Sequence, residues 1–543
     1  MKKHNTVKVV LITILVFLLL SWIIPAAYYS GEYTDQGRVQ MGLFDLFNYP
    51  LTAFSYFGYI ALFFILVGGF YGVLYKIPAY RNLLDKIAKN ASGKEYVALA
   101  IMILVNAILV SVCGLHIGIA LLFPFEIAII LLLGYDKNVA AMVTVGSVIA
   151  GLIGSTFAYG NLSILLESFS LKNDYQIGVR IVLLLMSVVL VLFNTIMYIK
   201  KNISNVKIEK KTVRKVEKTI EEEKKDEATK ISTKKSTNSK TTKKNTNSKS
   251  NSSKKSTSKS SKSRKSDNKA ALKDEDIIVV KETKNIDEDS SYIPEVINSK
   301  QKSAFLTCIL SLLFILFVLA FVTWGDNGFK IKLFDDITSA VTGFELFGFP
   351  IFGKLLGTIN SFGNWTITDL FLPMALTLLL LVIVYSISLE EAYEGFVEGA
   401  KRALLPAALV ILLYTVLVIV TYHPFQTTIY KAVLGLTKGF NIVTSMFVAI
   451  LASLFNSDIS YSFQSAIPYY VSVVTNVENY SLSGIIFQSM YGLTMLVAPT
   501  SLVLMATLSY LNISYTSWLK NIWKLLLELF IILILVFIIL SII

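Results

Sequence analysis

The stretch Gly151-Leu-Ile-Gly-Ser-Thr-Phe-Ala-Tyr-Gly-Asn161 interrupts an apolar run of membrane-spanning length with small and polar side chains. A second stretch, Tyr491-Gly-Leu-Thr-Met-Leu-Val-Ala-Pro-Thr-Ser501, does the same at the matching place in the second half of the chain. Such residues allow a helix to break at membrane depth, where the freed backbone groups must be satisfied by protein, water or a bound solute. We therefore expect two broken helices, one in each half.

Each interruption is followed by a polar segment with a basic residue, Arg180 in the first half and Lys520 in the second, and then by a last long apolar run. Both basic residues lie at predicted helix starts, where we expect them to anchor the membrane interface. Paired breaks in corresponding halves are the sequence feature that best marks a solute-binding site between two repeats.

The rest of the chain is a succession of apolar segments. With 54% apolar and 16% charged residues over 543 positions, its composition is that of an all-α polytopic membrane protein. Helices of about 17–25 apolar residues span a bilayer. About twelve crossings or re-entrant hairpins are predicted, near residues 7–29, 57–75, 96–113, 115–134, 138–160, 178–199, 303–323, 368–387, 402–422, 440–456, 482–508 and 522–543. The first run exceeds the usual signal-peptide core of about 7–15 residues, so we interpret it as a retained helix.

A basic insert separates the two halves. Residues 201–300 contain 27 Lys and Arg against 16 Asp and Glu, whereas the whole chain has 50 against 37. From Lys230 to Lys269 the insert is almost purely Lys, Ser, Thr and Asn, and such a segment cannot bury enough apolar surface to fold. The predicted organisation is a first membrane repeat at 1–200, a disordered Lys/Ser-rich insert at 201–300, and a second membrane repeat at 301–543.

Basic residues also predict the orientation in the plasma membrane. They place the N-terminus and the insert in the cytoplasm. The insert is either a solvated linker or an attachment to anionic lipid, to which each lysine near the surface adds about 1 kcal/mol. No nucleic-acid partner is expected, because the Lys-rich stretch has no aromatic residue on which a base would stack.

The two halves are similar in the order of their elements. Each has a first crossing, a loop rich in Phe, Gly and Pro (44–50 and 344–350), a second crossing, and an amphipathic charged helix (75–94 and 385–402). The second of these helices is net acidic around residues 390–398, which an inverted repeat would place on the opposite face of the membrane. The choice between inverted and parallel repeats is left open.

Two ionisable residues are candidates for ion coupling. Glu126 lies in the middle of an apolar run, where an acid costs a few kcal/mol unless it is paired, protonated or hydrated. We interpret it as a proton or cation site, or as the counter-charge for a cationic solute; the alternative is a structural partner for a neighbouring helix. His116, earlier in the same run, is a candidate because histidine is the residue type that most often changes charge near neutral pH, although a lone histidine is more often an interfacial residue.

Polar residues at the interruptions are candidates for solute binding. The set is Ser155, Thr156, Asn161, Pro499, Thr500, Ser501, Asp458 and Gln464. The hydroxyl and amide groups of the two interruptions are suited to hold an anion or a desolvated cation. The alternative is that small residues there only permit close helix packing. Asp458 and Gln464 lie in a polar stretch that is either a hairpin tip or an aqueous loop.

No cofactor or metal is expected, because the chain has two cysteines in apolar surroundings and three scattered histidines. Coupling to protons or to sodium remains open.

Short motifs in both membrane halves carry a family resemblance. They are Trp22-Ile-Ile-Pro25, Gly68-Gly-Phe-Tyr-Gly72, Pro124 with Gly134-Tyr-Asp136, Gly154-Ser-Thr156, and Ala498-Pro-Thr-Ser501 with Met505-Ala506 and Trp518-Leu-Lys520. On these residues the chain resembles the C4-dicarboxylate anaerobic carrier family (YfcC-like) of the ion-transporter superfamily. The resemblance implies a secondary transporter whose solute, a carboxylate or in some branches an amino acid, binds between two hairpin-containing repeats. It also implies a homodimer.

The chain departs from the family pattern in three places. Residues 114–118 read Gly-Leu-His-Ile-Gly and lack two acids, residues 157–161 replace an Asn-Pro-Phe-like motif, and residues 457–464 retain little of a glycine-rich hairpin. The resemblance places these regions next to the substrate, so it leaves the substrate open.

The sequence therefore predicts a secondary active transporter, a symporter or exchanger of a small polar carboxylate or amino acid that works by alternating access, and not an enzyme. One alternative is a degenerate carrier that acts as a membrane scaffold or sensor. A second alternative is an intramembrane transferase that uses His116 or His423 with a carboxylate.

Overall fold

The computed structural model describes residues 5–202, 292–295 and 303–542, apart from residues 358, 438 and 457. The predicted disorder of the insert falls almost entirely outside these residues. Lys201 and Asn202 end a long helix, and residues 292–295 pack against the helices.

The described part of the first half, residues 5–202, contains eight α-helices. They are α1 (Asn5–Ile23), α2 (Asp45–Tyr75), α3 (Pro78–Ala91), α4 (Glu95–Cys113), α5 (Phe123–Leu132), α6 (Lys137–Ile153), α7 (Tyr159–Ser168) and α8 (Ile177–Asn202). An antiparallel pair, β1 (Ala26–Tyr29) and β2 (Tyr33–Gly37), connects α1 to α2. A 3₁₀ turn at Gly118–Leu121 precedes α5.

Among the described residues, the second half contains more α-helices than the first. Its α-helices are α9 (Ala304–Phe321), α10 (Leu333–Thr342), α11 (Ile351–Leu356), α12 (Phe371–Val384), α13 (Leu389–Tyr422), α14 (Phe425–Leu434), α15 (Ile442–Phe455), α16 (Ile459–Val473), α17 (Tyr480–Met495), α18 (Leu502–Tyr510) and α19 (Tyr515–Ile542). The short strands β3 (Glu345–Leu346) and β4 (Phe349–Pro350) form a second antiparallel pair. Two 3₁₀ turns, Ile367–Leu370 and Val477–Asn479, precede α12 and α17.

Eight helical segments of the described chain are long and apolar enough to cross a membrane. These are α1, α2, α4, α8, α9, α12 with its preceding 3₁₀ turn, α13 and α19. The shorter apolar helices α5, α6 and α15 lie among them. Many large Leu, Ile, Val and Phe side chains are exposed on the long helices, as expected for a surface that faces lipid. The predicted all-α polytopic membrane fold is confirmed.

The helices α2 and α13 cross at their glycines. A Cβ atom on Gly72 would lie 2.0 Å from the carbonyl oxygen of Gly395, and one on Gly399 would lie 2.0 Å from that of Gly68. Glycines four positions apart let helix backbones approach closely in a membrane. Because each helix presents this spacing to the other, the backbones of α2 and α13 are in direct contact at the crossing.

The predicted amphipathic helix at 385–402 is not a separate element. Ser388 starts α13 with a capping box, in which its hydroxyl accepts the backbone N–H of Glu391 at 3.1 Å. The helix then continues through Pro406 to Tyr422. Its early turns pack their glycines on α2, which supports an unbroken helix, whereas Ile77-Pro78 starts α3 as an independent helix in the first half.

Both halves end with the same series of elements. A helical hairpin comes first (α4–α5 and α15–α16), then a broken helix (α6–α7 and α17–α18), then a long final helix (α8 and α19). The polar stretch that contains Asp458 is thus the tip of a hairpin and not an open loop. The helix α16, which follows that tip, was missing from the predicted crossings because its sequence mixes Ser, Gln and Tyr with apolar residues.

Candidate functional site

The first break lies between α6 and α7 and is held to the end of α4. The hydroxyl of Ser111 donates to the carbonyl oxygen of Gly154 at 2.7 Å. The hydroxyl and the backbone N–H of Thr156 both donate to the carbonyl oxygen of Ser111, at 3.1 and 2.8 Å. Carbonyl groups at the end of a helix need such outside partners. The hydrogen bonds to Ser111 therefore stabilise the break and hold it against the α4–α5 hairpin.

A buried arginine completes the first break. From the first turn of α8, Arg180 donates through Nε to the carbonyl oxygen of Ser155 at 2.7 Å and through its second terminal nitrogen to that of Thr156. Its other terminal nitrogen donates to the carbonyl oxygens of Asn173 and Tyr175 at 2.6 and 3.2 Å. Among the described residues, Arg180 is the only Lys or Arg with a buried side chain. A cation here is favourable because it meets the carbonyl end of α6.

The prediction that Arg180 anchors the membrane interface is wrong. The first turn of α8 directs this side chain into the break, where four carbonyl oxygens replace water. Lys520, the other predicted anchor, is exposed on α19.

The second half also contributes to the first break. Gln488 of α17 donates through Nε2 to the carbonyl oxygens of Ser155 and Ile153, at 2.9 and 3.2 Å. Its Oε1 accepts the hydroxyl of Tyr175 at 3.2 Å. The two broken helices meet here, since a Cβ atom on Gly492 would lie 2.7 Å from the nitrogen of Ile153. Sequence reasoning missed Gln488; the available signal was an amide in the otherwise mostly apolar α17.

One hydroxyl in the first break has no partner. Ser155 is 0% exposed, and its Oγ forms no hydrogen bond within the described part of the chain. Leaving a buried polar group unsatisfied costs about 1–3 kcal/mol. The hydrogen-bonding capacity of this hydroxyl is therefore unused in this conformation.

The second break lies between α17 and α18 and repeats the first with different donors. The hydroxyl of Thr500 donates to the carbonyl oxygen of Leu454, near the end of the hairpin helix α15, at 3.0 Å. Trp518 of α19 donates its indole N–H to the carbonyl oxygen of Leu496 at 3.0 Å, and the hydroxyl of Tyr515 donates to that of Val497. Trp518 and Arg180 each lie three residues after the start of the final helix.

The remaining predicted residues of the breaks lie at helix starts. Ser501 is the N-cap residue of α18 and is 2% exposed, and Pro499 before it is half-buried. In the first half, Asn161 in the first turn of α7 donates to the carbonyl oxygen of Gly114 at 3.0 Å. Gly114 ends α4 with a φ of +70°, so Asn161 holds the tip of the α4–α5 hairpin.

The two predicted coupling residues lie in that hairpin. His116 is half-buried at its tip, and Nδ1 lies 3.2 Å from the carbonyl oxygen of Gly114. Glu126, in the first turn of α5, is 6% exposed and accepts a hydrogen bond from Asn106 of α4 at 2.9 Å. None of the salt bridges formed between described residues includes Glu126. Its carboxyl group is thus buried beside an amide rather than a cation.

The two predicted residues of the second hairpin lie in different environments. Asp458 is the N-cap of α16 and accepts the backbone N–H of Ser460 at 2.8 Å. Gln464 is exposed on the outer face of α16 and is not brought to the break. Polar groups that do face inward on this helix include Ser462, which is 0% exposed, and Ser465, whose hydroxyl accepts a hydrogen bond from Asn456 at 3.3 Å.

A small apolar cavity lies between α2, α5, α13 and α18. It is lined by Phe64, Val67, Gly68, Ala120, Phe123, Pro124, Ile127, Ala403, Pro406, Ala506, Thr507 and Tyr510. The predicted solute-binding residues do not line this cavity.

Comparison with known proteins supports the resemblance. A family model described as C4-dicarboxylate anaerobic carrier (DcuC) matches residues 4–247 and 282–542, which include both hairpins, both breaks and both final helices. No curated protein and no solved structure matches the chain. The family inferred from the short sequence motifs is confirmed. This chain belongs to the C4-dicarboxylate anaerobic carrier family and is a multi-pass membrane protein of a carrier family for small-molecule solutes.

Proposed function

We propose that the protein is a secondary active transporter of a small dicarboxylate in the plasma membrane, that it works by alternating access, and that the two helix breaks bind the solute. Membership of a carrier family for C4-dicarboxylates supports the solute class. The N-terminus and the insert lie in the cytoplasm on this proposal. A homodimer and an anionic-lipid contact of the insert stay predictions.

The observation that carries this proposal is the unpartnered hydroxyl of Ser155 beside the buried guanidinium of Arg180. Arg180 donates to the carbonyl oxygen of Ser155 itself, so its positive charge acts within the break. The helix α7 also begins there, and a helix N-terminus attracts negative charge. A carboxylate that accepts a hydrogen bond from Ser155 would satisfy this hydroxyl and balance the cation.

The second break is suited to the other end of the same solute. The helix α18 begins at Ser501, so its N-terminus also faces a break. Broken helices that present their N-termini to anionic groups of the substrate are a recurring arrangement in transporters. A dicarboxylate would place one carboxylate at each helix start.

Glu126 is the proposed coupling residue. It is buried, and its hydrogen-bond donor is the neutral amide of Asn106. An acid inside a membrane protein needs a proton or a cation to offset its charge, which makes it suitable for coupling to protons or sodium. This uncompensated acid also favours a second candidate solute, a zwitterionic or basic amino acid whose ammonium group would pair with Glu126.

Of the two histidines of the transferase alternative, His423 is poorly placed for catalysis. Both ring nitrogens of His423 are within hydrogen-bond distance of a partner, the hydroxyl of Tyr49 at 2.7 Å and the carbonyl oxygen of Val39 at 2.8 Å. A general base needs a free nitrogen within reach of a substrate proton.

The test is exchange in proteoliposomes that contain the purified protein. The panel contains C4-dicarboxylates, their neutral diamides and basic amino acids. We expect saturable exchange of at least one dicarboxylate and none of its diamide. Silence of the whole panel would favour the scaffold alternative, and equal exchange of the diamide would contradict an anion site.

Ser155→Ala tests the site within the same assay. We expect it to raise the KM for the dicarboxylate by roughly 10- to 150-fold, because a hydrogen bond to a charged group contributes about 1.5–3 kcal/mol. Ser147→Ala is the matched control, since Ser147 is a buried serine of α6 whose hydroxyl donates to the carbonyl oxygen of Thr144 within its own helix at 2.8 Å. An equal effect of both substitutions would remove Ser155 from the site.

A further inference from the structure

Residues 292–295 lie at the end of the basic insert and pack against the helices. Tyr292 is 5% exposed, and its carbonyl oxygen accepts the hydroxyl of Tyr75, the last residue of α2, at 2.8 Å. Its own hydroxyl donates to the carbonyl oxygen of Tyr510, the last residue of α18, at 2.8 Å and accepts a hydrogen bond from Asn512 at 3.3 Å. One tyrosine is therefore bonded to the ends of two different helices.

Charged groups hold the same segment from two further helices. Arg81 of α3 donates to the carbonyl oxygen of Pro294 at 2.7 Å, and its Nε is fixed by Asp85 at 2.9 Å. Lys137, at the start of α6, lies 4.9 Å from the centre of the Tyr292 ring, where a cation is attracted to the face of the aromatic ring.

These contacts join two groups of helices. Tyr75 and Arg81 belong to α2 and α3, and α2 packs on α13 through the glycine crossing. Lys137, Tyr510 and Asn512 belong to α6 and to the end of α18, which are parts of the two broken helices. Alternating access moves one group of helices against another around the solute site. Any such movement of the broken helices against α2 and α3 must disturb the contacts of Tyr292.

We propose that Tyr292–Pro294 is a strap that docks in the notch formed by Tyr75, Arg81, Lys137, Tyr510 and Asn512, and that its docking restrains the opening of the helix breaks. The proposal rests on the proposed function in so far as opening of the breaks serves transport. The notch takes a tyrosine–isoleucine–proline segment, and in this chain the basic insert supplies it. Release of the strap then frees α6 and α18 from α2 and α3.

The test uses cysteine labelling of the full-length purified protein, in which the native Cys113 and Cys308 are replaced by alanine. Ile293→Cys reports release of the strap, and Ser501→Cys, at a position that is 2% exposed, reports opening of a break. Each reporter is combined with Tyr292→Ala, with Tyr292→Phe, or with Tyr393→Ala. Tyr393 is the matched control because it is a tyrosine that is 70% exposed on α13.

We expect Tyr292→Ala to raise the maleimide labelling rate at both reporters by about tenfold or more, because two hydrogen bonds of about 0.5–1.5 kcal/mol each are lost with the ring contacts. Tyr292→Phe, which keeps the ring, should give a smaller rise at both reporters, and Tyr393→Ala none. An unchanged rate at Ile293→Cys would overturn the docking, and a rise there without a rise at Ser501→Cys would overturn the restraint. Labelling does not require a transported solute, so silence in the exchange assay would count against the proposed function alone.

Discussion

The two helix breaks share one construction and differ in charge. In both, a threonine hydroxyl of the break donates to a carbonyl oxygen near the end of the preceding hairpin helix, Thr156 to Ser111 and Thr500 to Leu454. In both, a side chain three residues into the final helix donates to the break. That side chain is a cation in the first half and a neutral indole in the second. The repeat therefore conserves hydrogen bonding while placing the positive charge at one break only.

The two breaks also differ in which half of the chain supplies their hydrogen-bond donors. The first receives donors from its own half and from Gln488 of the other half, whereas Thr500, Trp518 and Tyr515 all bring donors to the second from its own half. The asymmetry favours a solute whose most strongly bound end is anionic and lies at the first break.

The largest effect is expected from removing the positive charge of Arg180. Arg180→Gln removes the cation and several donors from the first break, so we expect dicarboxylate exchange to fall by roughly 10- to 150-fold or more, as for the loss of charged hydrogen bonds of about 1.5–3 kcal/mol. Trp518→Phe removes one neutral donor and should reduce exchange by less than about tenfold. Comparable losses in the proteoliposome assay for both variants would show that the two breaks bind the solute alike.

The next effect concerns the two hairpins. If Glu126 carries the coupling proton, wild-type exchange falls as pH rises through its titration, by up to about tenfold per pH unit. Glu126→Gln should make the rate independent of pH. Asp458→Asn is the matched control in the other hairpin, because asparagine is also a good N-cap and should preserve both α16 and the pH dependence. A pH profile unchanged by Glu126→Gln would remove this residue from coupling.

A smaller effect tests the contact between the two halves. Gln488→Leu leaves the carbonyl oxygens of Ile153 and Ser155 with one donor fewer, so we expect a loss of about 1–3 kcal/mol in the free energy of unfolding. Gln464→Leu, on the exposed face of α16, should change it by no more than about 0.5 kcal/mol. Thermal unfolding of the two variants in the same detergent measures the difference. Equal melting temperatures would mean that the first break does not depend on α17.

The smallest effect tests the similarity of the breaks. Thr156→Val and Thr500→Val each remove a hydroxyl donor while keeping the shape of the side chain, and each should cost about 1 kcal/mol of stability. Equal losses would confirm that the two threonines have the same structural role. A much larger loss at Thr156 would show that the first break is the more tightly constrained one.

The positions of the breaks were predictable because Gly, Pro, Ser and Thr in an apolar run are a local signal. The direction of the Arg180 side chain was not predictable. A basic residue at a helix start usually points to water. Here it points to carbonyl oxygens that become available only because α6 ends beside α8. Gln488 was missed for the same reason, because its partners lie in the other half of the chain. The exposed position of Gln464 follows from the Asp458 cap, which fixes where α16 begins and so sets which side chains face outward.

The continuity of α13 was also beyond local patterns. A charged, amphipathic stretch followed by Pro406 is typical of a helix end, but the contact of Gly395 and Gly399 with α2 stabilises one uninterrupted helix. The matching four-residue spacing of the glycines is significant only because the folded structure places Gly68 and Gly72 opposite Gly395 and Gly399.

That glycine crossing also constrains how the carrier can evolve and move. Because backbone touches backbone at Gly68, Gly72, Gly395 and Gly399, a shift of either helix along its axis would bring a larger side chain of the same face, such as Phe64 or Ala403, against the opposite main chain. Rotation about the contact point keeps the backbones at the same separation. We therefore expect the pair to act as a pivot, which allows one helix to rock on the other more readily than to slide along it.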